Sequence, residues 1–120
     1  MARQQRIGRW GEELAAKYLQ NLGYQIIARN VRTPYGELDL IAKLVDLVVF
    51  IEVKTRFSDS FGLPEISINK SKTRHILDSV QSYLQNHPEM DCAWRVDVIA
   101  IQRKPGETPP EIVVFENAIS

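Results

Sequence analysis

The run Val48-Val49-Phe50-Ile51 leads straight into Glu52-Val53-Lys54, and no other stretch limits the possible folds as much. An almost unbroken apolar segment of strand length suits a strand buried on both faces. Ionised groups at the end of such a strand are costly unless paired, hydrogen-bonded or bound to metal. Upstream, Asp39 sits in a similar setting, Gly36-Glu37-Leu38-Asp39-Leu40-Ile41-Ala42.

Two strands joined by a turn near Lys43 to Asp46 account for the segment from Glu37 to Arg56. Alternation places Glu37, Asp39 and Ile41 on one face of the first strand and Leu38, Leu40 and Ala42 on the other. In the second strand Phe50, Glu52 and Lys54 share a face, opposite Val49, Ile51 and Val53. The two-residue spacing of Glu52 and Lys54 matters, because a spacing of one would send the lysine to the other face. A carboxylate on one strand, with a carboxylate and a lysine on the next, can converge on one divalent cation. Phosphodiester hydrolysis needs such a centre, which offsets phosphoryl charge and supplies a hydroxide-like nucleophile. In that reading Asp39, Glu52 and the Val53 carbonyl hold Mg²⁺ or Mn²⁺, and Lys54 orients or deprotonates the attacking water. A salt-bridged pair on a solvated sheet face accounts for the same residues, and residue chemistry alone leaves both open.

The rest of the chain frames these strands. A 3.6-residue period through Trp10, Leu14, Ala15, Tyr18, Leu19 and Leu22 predicts a helix from about Ile7 to Leu22, with Gly23 as its stop. Tyr24 to Ala28 reads as a short strand, and Arg29 to Tyr35 as a connection. Phe57 to Pro64 is too polar and turn-rich for regular structure and reads as a mobile loop. Asn69 suits the N-cap of a second helix ending near Asn86, with Ile76, Leu77, Val80, Tyr83 and Leu84 as its apolar stripe. Trp94 to Ile101 is a strand, Lys104-Pro105-Gly106 a turn, and Glu111 to Phe115 a last strand. The order is α-β-β-β-α-β-β, in one domain spanning residues 1–120, and composition suits an α/β or α+β protein.

Charge and composition narrow the classes. With 15 basic and 15 acidic residues the chain has no bulk attraction for polyanions. The charge is uneven, since residues 1–32 hold six Lys/Arg against two acids and residues 54–75 hold five against two. A neutral chain can therefore carry a basic face. No apolar run approaches membrane-span length, the amino terminus lacks a signal pattern, and Cys92 has no partner for a disulfide. A reduced, cytoplasmic setting is expected.

Gly11-Glu12, Gly36-Glu37-Leu38-Asp39-Leu40-Ile41-Ala42 and Phe50-Ile51-Glu52-Val53-Lys54-Thr55-Arg56 together resemble the YraN family of small bacterial proteins. Gly62-x-Pro64, Lys72, Tyr83-Leu84 and Arg95-Val96-Asp97-Val98 continue the match in order. That family is similar to the PD-(D/E)xK nucleases, especially archaeal Holliday junction resolvases. The resemblance implies an α/β fold, a restriction-endonuclease-like core whose central mixed sheet is flanked by helices. Its motif falls on Asp39, Glu52 and Lys54, with Glu12 on the first helix reaching the metal through a water. Leu38 stands where the superfamily signature has proline, and the hairpin turn Lys43-Leu44-Val45-Asp46 lacks the Asp-Gly pair of YraN relatives.

Other residues are weighed against plainer roles. Glu37 reads as a charge at the start of a strand, with a second metal ligand as the alternative. Lys70, Lys72 and Arg74 oppose the helix dipole at the start of the second helix, which suits phosphate as well as a solvated face. Lys72, Arg56, Arg74 and Arg29 are the candidate nucleic-acid contacts. Asp97 reads as structural, paired with Arg95 or with a helix arginine. Trp10 and Trp94 read as core or interface rather than base-stacking platforms, and Gly11 as a site of close packing or of tolerance. His75 and His87 do not form a zinc site, and Ser58, Ser60 and Ser71 lack a His–Asp set. The leading expectation is a metal-dependent endonuclease on branched or structured DNA, possible as a homodimer because two strands must be cut. The alternatives are a nucleic-acid-binding module of the same fold without turnover, and a protein-interaction domain.

Overall fold

The computed structural model describes residues 3–57, 69–103 and 109–120. Most of the expected loop between Phe57 and Pro64, with Gly62-x-Pro64, and the Lys104-Pro105-Gly106 turn lie outside the described residues. The element order is α1 (Arg3–Asn21), β1 (Gln25–Thr33), β2 (Gly36–Leu44), β3 (Leu47–Phe57), α2 (Lys70–Asn86), β4 (Ala93–Arg103) and β5 (Glu111–Ile119). This is the expected α-β-β-β-α-β-β order.

The five strands form one mixed sheet in the order β1-β2-β3-β4-β5. β1–β2, β2–β3 and β4–β5 pair antiparallel, and β3–β4 pair parallel across the α2 crossover. The run that opens the sequence analysis is the central strand, and its side chains divide between two cores. Val48 and Phe50 pack with Ile76, Val80 and Tyr83 of α2. Val49 and Ile51 pack with Ala15, Ala16 and Leu19 of α1. The helices therefore cover opposite faces, as an apolar run without alternation requires. Trp10 and Trp94 are both half-buried against these cores.

Several boundaries differ from the expected ones, among them the start of α1, at Arg3 rather than Ile7. α1 ends at Asn21 with Gly23 at φ +96°, where Gly23 N–H donates to Gln20 O and Tyr24 N–H to Leu19 O. This places Leu22 past the helix, and it is exposed. β1 runs to Thr33, and the expected connection shrinks to a turn at Pro34-Tyr35. The strand is an edge, so Arg29, Asn30 and Arg32 give no alternation to read, and Asn30 at φ +51° breaks it further. β5 extends past Phe115 to Ile119, through Asn117 at φ +51°. The β2–β3 turn is only Val45-Asp46, yet the register from Leu44↔Leu47 to Leu40↔Ile51 is regular without a glycine.

Candidate active site

Asp39 lies where the β2–β3 ladder changes character. The recorded register ends at Leu40↔Ile51, and beyond it the Asp39 carboxylate (Oδ2) accepts the Val53 N–H at 2.9 Å. On the other side, Asn30 sits between the pairs Arg29↔Leu40 and Val31↔Leu38, across from Asp39. The alternation expected for Leu38, Leu40 and Ala42 fails at this point. Leu38 joins Ile41 in the core beneath α2, whereas Leu40 and Ala42 join the core beneath α1. A left-handed residue on the partner strand turns the ribbon, and a side chain stands in for a backbone acceptor.

A cleft of about 460 Å³ opens here between the sheet and the start of α2, lined among others by Glu37, Asp39, Glu52, Lys72 and His75. Asn69 caps α2, its side chain accepting the Lys72 N–H at 2.8 Å, which fixes the turn that carries Lys72. Lys72 Nζ lies 3.2 Å from Glu52 Oε1, and Lys54 Nζ lies 3.7 Å from the same oxygen. The Glu52 side chain is only 13% exposed. At the turn before β2, the Thr33 hydroxyl lies 2.9 Å from Ser79 Oγ on α2, tying that turn to the helix.

Glu12 approaches from α1 on the other face. Its neighbour Gly11 permits this, because a Cβ there would meet Thr55 Oγ1 at 2.0 Å. Of the two roles open for Gly11, close packing is the one the structure shows. With its amide nitrogen turned toward the carboxylates, Asn30 donates to Glu12 Oε1 at 2.9 Å and to Glu37 Oε1 at 3.0 Å. Asn30 is a member of the group that sequence reasoning passed over. Its signal was slight, an asparagine inside a polar stretch, one of the residues that tolerate a positive φ.

The electrostatics follow from crowding. Burial first, then Glu52, pushes the Asp39 carboxyl up to about 8, with Glu12 and Glu37 adding to the effect and the Val53 N–H opposing it. Glu12 is also raised, chiefly by burial, with Asn30 pulling the other way. Lys54 is held below the usual ammonium range by burial and then by Lys72. Lys72 is held above it, by its hydrogen bond with Lys54 first and by Glu52. Of the two amines, Lys54 is thus the one readier to give up a proton.

The donor set is suited to a hard cation with few protein ligands. Among the described residues no group of three or more His, Cys, Asp or Glu side chains forms a metal cage. Mg²⁺ ordinarily needs none, taking one or two carboxylates with carbonyl and water oxygens. Asp39, Glu52 and the Val53 carbonyl are of that kind, and a cation there would offset both the burial and the neighbouring carboxylates that raise Asp39.

The candidate nucleic-acid contacts separate. Lys72 lines the cleft, whereas Arg74 faces another hollow with Lys70, Thr73 and Asp78, and pairs with Asp78 at 3.9 Å. Arg29 pairs with Glu13 of α1. Arg56 is exposed near the end of β3. Asp97 is buried and structural. It accepts Arg95 Nε at 3.0 Å and the Asn117 N–H at 2.9 Å, which holds the irregular β4–β5 pairing.

Comparison with known proteins gives a consistent picture. The model of a family described as "Uncharacterised protein family UPF0102" matches residues 11–101. A UPF0102 protein of Syntrophotalea carbinolica is 43% identical over 105 residues, covering 88% of this chain and 85% of the relative. One from Thermodesulfovibrio yellowstonii is 45% identical over 98 residues, covering 82% and 87%. Among solved structures, Pyrococcus furiosus SfsA in complex with Ca²⁺ is similar at a TM-score of 0.42 and 16% identity. That match covers 98% of this chain and 65% of the other, and nothing about ligand or reaction follows from it.

Proposed function

The chain belongs to the uncharacterised protein family UPF0102, and for this member we propose a metal-dependent phosphodiesterase acting on structured nucleic acid, branched DNA foremost. The observation that carries the reading is the meeting of Glu37, Asp39, Glu52 and Lys72 at one cleft, with Lys54 on Glu52 and Glu12 nearby. A solvated salt bridge does not describe Asp39, which is half-buried and whose carboxylate accepts the Val53 N–H.

Asp39, Glu52 and the Val53 carbonyl would hold Mg²⁺ or Mn²⁺, which supplies charge neutralisation at the phosphoryl group and an acidified water. Lys54, which burial and then Lys72 hold below the usual ammonium range, would steer the attacking water in line as an ammonium or, once deprotonated, accept its proton. Glu12 would orient a water on the α1 side, held in place by Asn30. Lys72 would contact a backbone phosphate, with Arg56 available along the exposed end of β3.

The test is a cleavage screen over junction, flap, single-stranded and duplex substrates with Mg²⁺ or Mn²⁺, using Asp39→Asn/Glu52→Gln as control. Cleavage that the double variant loses supports the reading. Cleavage that it retains, or none on any substrate, overturns it. One observation favours a binding module without turnover: Glu52 already has two lysine partners. Salt-dependent binding to branched DNA with no cleavage would decide for that alternative.

A further inference from the structure

Glu52 Oε1 serves two ammonium groups, Lys72 at 3.2 Å and Lys54 at 3.7 Å. A divalent cation on this carboxylate would stand within a few ångströms of both, and in a half-buried site that repulsion is weakly screened. One lysine has to yield. Lys54 shares a strand face with Glu52 two residues away, and its side chain is 29% exposed. Lys72 belongs to a different element, has a side chain 41% exposed, and lines the open cleft. The backbone of Lys72 is pinned by Asn69, so its side chain can swing without disturbing α2.

We propose that Lys72 is the resident counter-cation of Glu52, gives up that carboxylate when a divalent cation binds, and then takes a backbone phosphate of the nucleic acid. The inference rests on reading Glu52 as a metal ligand. Through Lys72 the two events favour each other. The cation frees the lysine, and a phosphate that holds the lysine away from Glu52 leaves the carboxylate open to the cation. Without the cation, the cleft keeps its mobile positive charge occupied and offers phosphate little.

The experiment measures Mn²⁺ binding to the full chain by electron paramagnetic resonance, with no nucleic acid present. Lys72→Met should bind Mn²⁺ roughly fivefold or more tighter than wild type, the low end of coupling between sites. Lys72→Arg should stay close to wild type. Arg74→Met removes the same charge from the same helix but off the cleft, and should leave Mn²⁺ affinity unchanged. In a second arm, Mn²⁺ should strengthen wild-type binding to a nuclease-resistant phosphorothioate DNA duplex, and strengthen it much less in Lys72→Met. Unchanged or weaker Mn²⁺ binding by Lys72→Met would overturn the exchange, as would an equal gain in Arg74→Met. Glu52→Gln separates the two levels of the argument. If it binds Mn²⁺ like wild type, the metal site itself falls and the exchange with it. If it loses Mn²⁺ while Lys72→Met gains nothing, only the exchange falls.

Discussion

At the scale of single residues, Asp39 is the group whose chemistry departs furthest from the ordinary. Its carboxyl is raised from 3.8 to about 8 by burial and by Glu52. A carboxyl whose pKa rises on folding holds its proton in the folded state, so its contribution to stability is present at low pH and lost as pH rises through the folded value. Metal-free wild type should therefore lose thermal stability between about pH 4 and pH 8 relative to Asp39→Asn, and Mn²⁺ should remove most of that slope. Melting curves with a chelator and with Mn²⁺ check this, and parallel pH profiles for the two proteins would contradict it. Lys54→Met should lower turnover by about two orders of magnitude or more while leaving Mn²⁺ affinity largely intact, as loss of a general base would. Equal losses in both would make Lys54 a structural partner of Glu52 and no more. Spacing placed Glu52 and Lys54 on one strand face, because two-residue alternation is a local property of a strand, and the family resemblance singled out Asp39 with them. Asn30 was not legible, because its value lies in reaching Glu12 and Glu37, which belong to other elements.

At the scale of elements, the site depends on how closely α1 and α2 are held to the sheet. Gly11→Ala would drive a methyl group into Thr55, so a loss of about 1–3 kcal/mol or more is expected by chemical denaturation. Pairing it with Thr55→Ala should restore part of that loss, and full additivity would mean the contact is not the cause. The β2–β3 turn makes the opposite case. Val45 is 81% exposed at φ +54°, a conformation that β-branched residues avoid. Val45→Gly should stabilise the chain by about 1 kcal/mol, read as a higher melting temperature. A lower one would mean the turn is set by something other than backbone strain. The sequence lacked the usual turn glycine, but the register held because Leu40, Ala42, Val49 and Ile51 must all reach the α1 core. Buried faces, not the turn, fix this pairing. The same reasoning explains why β1 was read too short: an edge strand with polar side chains leaves no periodic trace.

At the scale of the whole molecule, neutrality hides an arrangement. Net charge is zero, yet the cleft combines Glu37, Asp39 and Glu52 with Lys72, and Lys54 pairs with Glu52 beside it. Binding to branched DNA should accordingly be weak and salt-dependent, and Lys72→Ala should lower the slope of log affinity against log salt by about 1. Fluorescence anisotropy over a salt series measures it, and an unchanged slope would place Lys72 outside the interface. Among the described residues no helix is long and apolar enough to cross a membrane. By itself the sequence determined the element order, the central strand with two covered faces, and the chemical identity of the candidate acids and lysine. Each of these rests on interactions between residues near in the chain, where period and apolar pattern are read directly. The tertiary structure alone decided that β2 parts from regular alternation at Asp39, that Glu12 arrives from the opposite face with Gly11 against Thr55, and that Lys72 rather than Arg29 or Arg74 reaches Glu52. Those facts depend on the angle and depth at which helices settle on a sheet. Packing among distant residues sets that angle and depth, and no local pattern encodes it.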